Sequence, residues 1–176
     1  MRSTINYEKS IPWKRLIYHP TPSKVFTIIF DYFFGVVLLL IYMAVFFGLA
    51  SYDGSSILLI LLSGTMSGYM ICGVFLLSKL VKINGTDPNT NRHRIIDLIT
   101  AKYPAMKIST GDRLITAKTD HKIIAFDREI FVLVDGSDLY INVHTLLRGN
   151  MKSITMALPN YILAQRLAKE FDLMIG

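Results

Sequence analysis

Hydrophobic positions along this chain concentrate in two long runs, Val25 to Ala50 and Ile57 to Leu77, and thereafter fall into short periodic groups. A hydrocarbon core about 30 Å thick is crossed by about 20 consecutive apolar residues in helical form, and each run reaches that length with at most one charge inside it. Only Ser51, Tyr52, Asp53, Gly54, Ser55 and Ser56 separate the runs. So short a linker holds no soluble element. The pair is expected to form a transmembrane helical hairpin over residues 25–81, with spans at about 25–50 and 57–81. Gly48 and Ala50 form a small-x-small site, but 24 residues precede the first run and its length exceeds an ordinary signal-peptide core, so it is read as a span.

Beyond the second run the period changes. Asp87 is placed to cap a helix, Pro88 suits its first turn, Ile95, Ile96, Leu98, Ile99 and Tyr103 make its apolar side, and Pro104 ends it. Strand-like groups follow at Met106 to Ser109, Arg113 to Lys118, Lys122 to Phe126, Ile130 to Val134, Leu139 to His144 and Met151 to Met156. Turn chemistry such as Gly111-Asp112, Asp135-Gly136-Ser137 and Gly149-Asn150 separates them. Ile130 to Val134 has no polar face, which predicts a central strand covered on both sides. An amphipathic helix over about Asn160 to Met174 closes the chain, with Leu163, Ala164, Leu167, Ala168, Phe171 and Met174 on one side.

Strands joined by tight turns predict an antiparallel meander of five or six strands with a preceding helix and a C-terminal capping helix. The expected unit is an α+β cytosolic domain over residues 84–176. This arrangement resembles bacterial pleckstrin-homology-like domains, in which a strongly bent meander is capped by a C-terminal helix and is often tethered to two membrane spans. The resemblance covers the order of elements over about Met106 to Met174 and implies a barrel-like sheet, but it assigns no ligand residue. A flat sheet with two helices on one face is the alternative.

Charge orients the hairpin. The formal net charge is +6, yet residues 1–24 hold five cations (Arg2, Lys9, Lys14, Arg15, Lys24) against Glu8 alone, while residues 83–176 carry 12 basic and 10 acidic side chains. The excess flanks the spans, Lys79 and Lys82 included, and the linker holds Asp53 and no cation. By the positive-inside rule both termini are cytoplasmic, as in a bacterial inner membrane, and the basic flanks attract anionic lipid headgroups. The near-neutral soluble part lacks the basic stripe that nucleic-acid binding needs. Arg92, His93 and Arg94 are expected near the membrane surface.

Several residues near or within the bilayer stand out. In the N-terminal arm, residues 1–24, Trp13, Lys14, Arg15 and Tyr18 mix amphipathic rings with cations as an interfacial anchor does, before Pro20 and Pro22 bend the chain. Ala44 and Gly48 in the first span, and Gly64 and Gly68 in the second, repeat a small-xxx-small spacing. They are expected to face one another across the hairpin or to meet a partner helix. Asp31 lies about 9 Å inside the first span at 1.5 Å per residue, where a carboxylate needs hydration or a partner; Lys79 is the candidate partner.

No local pattern carries catalysis. His19, His93, His121 and His144 are scattered without metal-ligand spacing, and nucleophile elbow, phosphate loop and dinucleotide signatures are lacking. Asp135-Gly136-Ser137-Asp138 lacks the ligand series of a calcium loop and is expected to be a hairpin turn. The one cysteine, Cys72, excludes an intrachain disulfide. The expectation is a non-enzymatic membrane protein without a cofactor, whose hairpin holds a cytosolic domain for protein contacts or self-association in an assembly such as a secretion or conjugation apparatus. The alternatives are a membrane-proximal sensor of lipid headgroups or a small ligand, and a toxin-immunity protein.

Overall fold

A computed structural model describes residues 5–19, 22–52, 57–119, 127–147 and 152–175; side chains at 22–28, 30–32, 34 and 35 lie outside that description. In chain order the elements are α1 (Tyr7–Ser10), α2 (Pro22–Ala50), α3 (Ile57–Leu76), β1 (Val81–Asn84), α4 (Pro88–Lys102), β2 (Met106–Thr110), β3 (Leu114–Thr119), β4 (Asp127–Asp135), β5 (Asp138–Leu146) and α5 (Ala157–Ile175). The five strands form one antiparallel sheet in the order β1-β5-β4-β3-β2, so the fold is α+β. β4 is the middle strand, as its lack of a polar face requires.

Period-2 alternation divides the sheet into two buried faces. Ile130, Val132 and Val134 of β4 and Leu139, Ile141 and Val143 of β5 point to a core sealed by Ile95 and Ile99 of α4 and by Ala164, Leu167, Ala168 and Phe171 of α5. Full burial of each large side chain there contributes about 1.5–3 kcal/mol. Phe131, Leu133 and Tyr140 point the other way and are covered by Ile5, Leu16 and Leu80, with Tyr7, Ile11, Tyr18 and Leu114 beside them. The N-terminal arm thus belongs to the folded α+β body. Its return is sewn by Asn6 N–H donating to Ile17 O at 2.8 Å and by Ser10 Oγ, which donates to Asn6 O and accepts from Ile17 N–H.

Local chemistry sets the turns and ends. Asp87 caps α4 as expected: Oδ2 accepts from Asn89 N–H at 3.1 Å and Thr90 N–H at 2.9 Å, and these donors hold the carboxyl below its ordinary range. The β4–β5 hairpin closes on two residues, Gly136 and Ser137, with Gly136 at φ +57°, a left-handed conformation that glycine adopts without strain. Asp135-Gly136-Ser137-Asp138 is therefore a turn.

Several expectations change. The second apolar helix ends at Leu76, not at 81, and the four residues Val81–Asn84 form an edge strand on β5 that the apolar run concealed. The expected strand at Lys122 to Phe126 lies outside the described residues, as does Met151. Residues 152–156 form no strand: after one bridge from Lys152 to Leu146 the chain turns, and Ile154 packs against α3 instead of entering the sheet. Among the described residues α4 and α5 pack on the same face of the sheet.

Arg92 reaches the end of the sheet opposite the α3 exit. Arg92 donates to Asp112 O at 2.8 Å and to Gly111 O, while the neighbouring Asn91 donates to Ser137 O at 2.9 Å. Both turns lie at the end of β5 away from His144, and a strand rising about 3.3 Å per residue puts them roughly 20 Å from the α3 exit.

Gly85 and Asn91 lock this far end. Asn91 is fully buried; its Oδ1 accepts from Thr86 N–H at 3.1 Å, and a Cβ on Gly85 would strike its amide and come within 2.5 Å of Ser137 O. Asn91→Ala is expected to cost about 1–3 kcal/mol through the partners it leaves buried. Gly85→Ala is expected to destabilise as well. Denaturant melts of the detergent-solubilised chain, followed by circular dichroism, measure both; an unchanged midpoint for either variant contradicts the packing described.

Candidate functional site

The functionally distinctive region is the strap Leu77–Leu80, where the apolar helix α3 enters the α+β body. Carbonyls that follow a helix end have no intrahelical partners, and buried ones must find others. Here two are met by side chains of β5 and one by the N-terminal arm. Leu77 O accepts from His144 Nε2 at 3.0 Å, Ser78 O from Leu16 N–H at 2.7 Å, and Lys79 O from Asn142 Nδ2 at 2.7 Å. Leu80 N–H in turn donates to Lys14 O at 2.9 Å. Two β5 side chains and the N-terminal arm therefore grip the strap from opposite sides.

The chemistry of His144 follows from this placement. A carbonyl only accepts, so Nε2 carries the proton and Nδ1 is the unprotonated nitrogen. The ring is 1 % exposed and lies edge-on to Phe131, with centroids 5.5 Å apart. Burial, and secondarily the Lys152 cation, hold it well below its ordinary pKa of 6.5, and the Leu77 hydrogen bond opposes this only in part. His144 is accordingly a neutral donor at physiological pH. Its Nδ1, Asn142 Oδ1 and Arg128 Nε have no hydrogen-bond partner among the described residues.

A second contact lies higher on α3. Met70 and Leu77 pack with Ile154 and Ala157, and Leu38, Leu39 and Tyr42 of α2 join them. A Cβ on Gly73 would lie 2.7 Å from Ile154 O, so only glycine allows this approach. Tyr69 donates its hydroxyl to Thr155 O. Ser153 N–H donates to Thr145 O at 2.8 Å, and Thr145 Oγ1 to Asn160 Oδ1 at 3.0 Å, tying the same segment back to β5 and α5.

The residues singled out from sequence distribute unevenly around this junction. Tyr18 meets Lys152, whose Nζ is 4.7 Å from the ring centroid and 3.3 Å from the hydroxyl. Arg15 pairs with Lys79 through the backbone. Trp13 is 72 % exposed and Lys14 takes φ +48° at the turn of the arm. Because the arm runs antiparallel to the strap, Trp13 and Lys14 lie on the side away from α3, and Tyr18 lies toward it. Lys79 Nζ stands 5.0 Å from the Tyr161 ring centroid; the side chain of Asp31 is outside the described residues.

The small-residue faces do not meet one another. Gly64 lies under Phe46, with its Cβ position 3.3 Å from the ring, whereas Ala44, Gly48 and Gly68 are exposed and a Cβ on either glycine would touch nothing. The Phe46 ring fills the space that close backbone contact would need. Among the described residues no group of three or more His, Cys, Asp or Glu is placed to hold a metal ion. Tyr140, Asn142 and His144 alternate along β5, but nothing local in the sequence directs the last two to the strap. Their period-2 spacing was the available signal.

A neutral buried His144 has a definite pH signature. Its folded pKa is depressed, so below about pH 6.5 the unfolded chain takes up a proton that the native state refuses, and stability falls as pH drops through that window. His144→Gln keeps a donor and removes the titration. Denaturant midpoints at pH 7.5 and 5.5 are expected to fall in the parent chain and to fall less in the variant; equal losses contradict the assignment. Comparison of the chain with protein-family models, with curated proteins and with solved structures returned no match.

Proposed function

We propose that the protein is a hairpin-anchored membrane subunit whose α+β body is held rigidly beneath the bilayer and offers surface for protein contacts in a larger membrane assembly. The observation that carries the reading is α3. Ile57–Leu76 is 20 residues long, apolar enough to cross a bilayer, and only 22 % of its most apolar window is buried by the rest of the chain. A core helix of a globular domain would be mostly covered, whereas Ile57, Leu58, Leu61 and Phe75 each present most of their surface to the outside. Lipid is the environment that suits such a surface.

The partner helix α2 supports the same reading. It packs antiparallel on α3, with Phe46 at Gly64 and Tyr42 near Met70, and its described apolar stretch Val36–Ala50 is likewise largely uncovered. The arm and the sheet join the hairpin at one end, which agrees with both termini on the side favoured by the basic flanks. The grip on the strap gives the anchor a mechanical purpose. A freely swinging tether needs no buried histidine and asparagine at its root, whereas a platform that presents one orientation does. Assembly with other membrane proteins, as in a secretion or conjugation apparatus, is the role this arrangement suits best.

Two measurements test the proposal. In a bacterial host, the chain is expected to stay in the membrane pellet through alkaline carbonate extraction. In a Cys72→Ser background, Tyr52→Cys should react with an impermeant maleimide from outside and Leu173→Cys only after lysis. Release by carbonate, or the reverse labelling, contradicts the anchor and its orientation. Native gel electrophoresis of mildly solubilised membranes from the source cells should place the 19.9 kDa chain in a larger complex, and a monomer band alone contradicts the assembly role.

A further inference from the structure

The first turns of α5 occupy an unusual position for part of a soluble domain. Thr155 meets Tyr69 and Ile154 meets Gly73, residues seven and three positions before the end of α3 at Leu76. At 1.5 Å per residue these contacts lie about 10 Å and 5 Å back along the helix. With α3 as a span, the segment beside it stands at the depth of the headgroups and the upper acyl chains. Its outward side suits that depth: Pro159 and Ile162 are both exposed, one helical turn apart, and Leu158 between them and the core is half-buried.

The same outward stripe of α5 changes character with distance from α3. Arg166 and Lys169, four and seven residues beyond Ile162, are exposed cations on the continuing face. Apolar side chains nearest the span followed by cations is the order that a bilayer interface selects. Two further lysines flank the segment, each over a tyrosine ring: Lys152 over Tyr18 and Lys79 over Tyr161. Tyrosine belongs to the same interfacial level. The order holds from Pro159 to Lys169, beyond which Leu173 returns an exposed apolar side chain to the stripe.

We infer that the N-terminal turns of α5 are seated in the cytoplasmic leaflet, with Pro159 and Ile162 among the upper acyl chains and Arg166 and Lys169 against anionic lipid phosphates. The α+β body then meets the bilayer through a third element besides the two spans. This rests on the reading of α3 as a membrane span.

Nitroxide depth measurement on the full chain tests it. The Cys72→Ser chain, carrying a label at Ile162→Cys, Leu173→Cys or Leu58→Cys, is reconstituted into vesicles of phosphatidylethanolamine and phosphatidylglycerol. The Ile162 label should be several-fold less accessible to a neutral nickel chelate, relative to oxygen, than the Leu173 label. Equal accessibility at Ile162 and Leu173, with the Leu58 label shielded, overturns the seating while leaving the span intact; a water-exposed Leu58 label overturns the span reading and the seating with it. Replacing phosphatidylglycerol by phosphatidylcholine should raise nickel access at Ile162. No change on that replacement overturns the role given to Arg166 and Lys169.

Discussion

Three consecutive carbonyls just past the end of an apolar helix, Leu77, Ser78 and Lys79, need hydrogen-bond donors, and the organisation of the chain follows from where those donors come from. A helix that ends in water can leave its last carbonyls to solvent. This one leaves into a folded body, where an unmet carbonyl costs as much as a lost hydrogen bond. His144, Leu16 and Asn142 supply the donors, from the centre of β5 and from the N-terminal arm. The arm is therefore packed between the strap and the sheet. Asn142 and His144 of β5 must in turn face away from the α4–α5 core, whereas Thr145 faces α5 and bonds Asn160.

The arrangement carries a cost that explains its residue types. Asn142 and His144 are buried among Phe131, Leu133 and Tyr140, where a charged group would be expelled and a polar one tolerated only when bonded. Histidine fits because it donates while neutral. Burial and Lys152 keep it in that state. Gly73 contributes on the other side, since its missing side chain lets Ile154 reach the α3 backbone. The junction is thus built from two close approaches, one polar and one apolar, about one helical turn apart along α3.

Much of this fold was legible in the sequence where its causes are local. Asp87 and Pro88 mark the start of α4 because capping acts within three residues, and the unbroken apolar run at Ile130 to Val134 identifies a middle strand because only such a strand is covered twice. What sequence missed has distant causes. Val81–Asn84 follows the apolar run without a turn signal, and its strand character depends on pairing with β5. Residues 152–156 alternate as a strand would, yet Ile154 is claimed by Gly73 and Met70. His144 and Asn142 announce a less apolar face by their spacing, but their partners are more than sixty residues away. The small residues Ala44, Gly48 and Gly68 matched a packing pattern whose contact the Phe46 ring prevents within the chain.

A body gripped at its root differs from one on a loose tether in the exchange of a few amides. The most direct test is hydrogen–deuterium exchange of the full chain in lipid nanodiscs, following Leu16 and Leu80, whose N–H groups donate across the strap to Ser78 O and Lys14 O. The rigid-platform account predicts that both exchange as slowly as Val132 in the central strand. Exchange as fast as that of Tyr52, in the exposed linker between the helices, would contradict it.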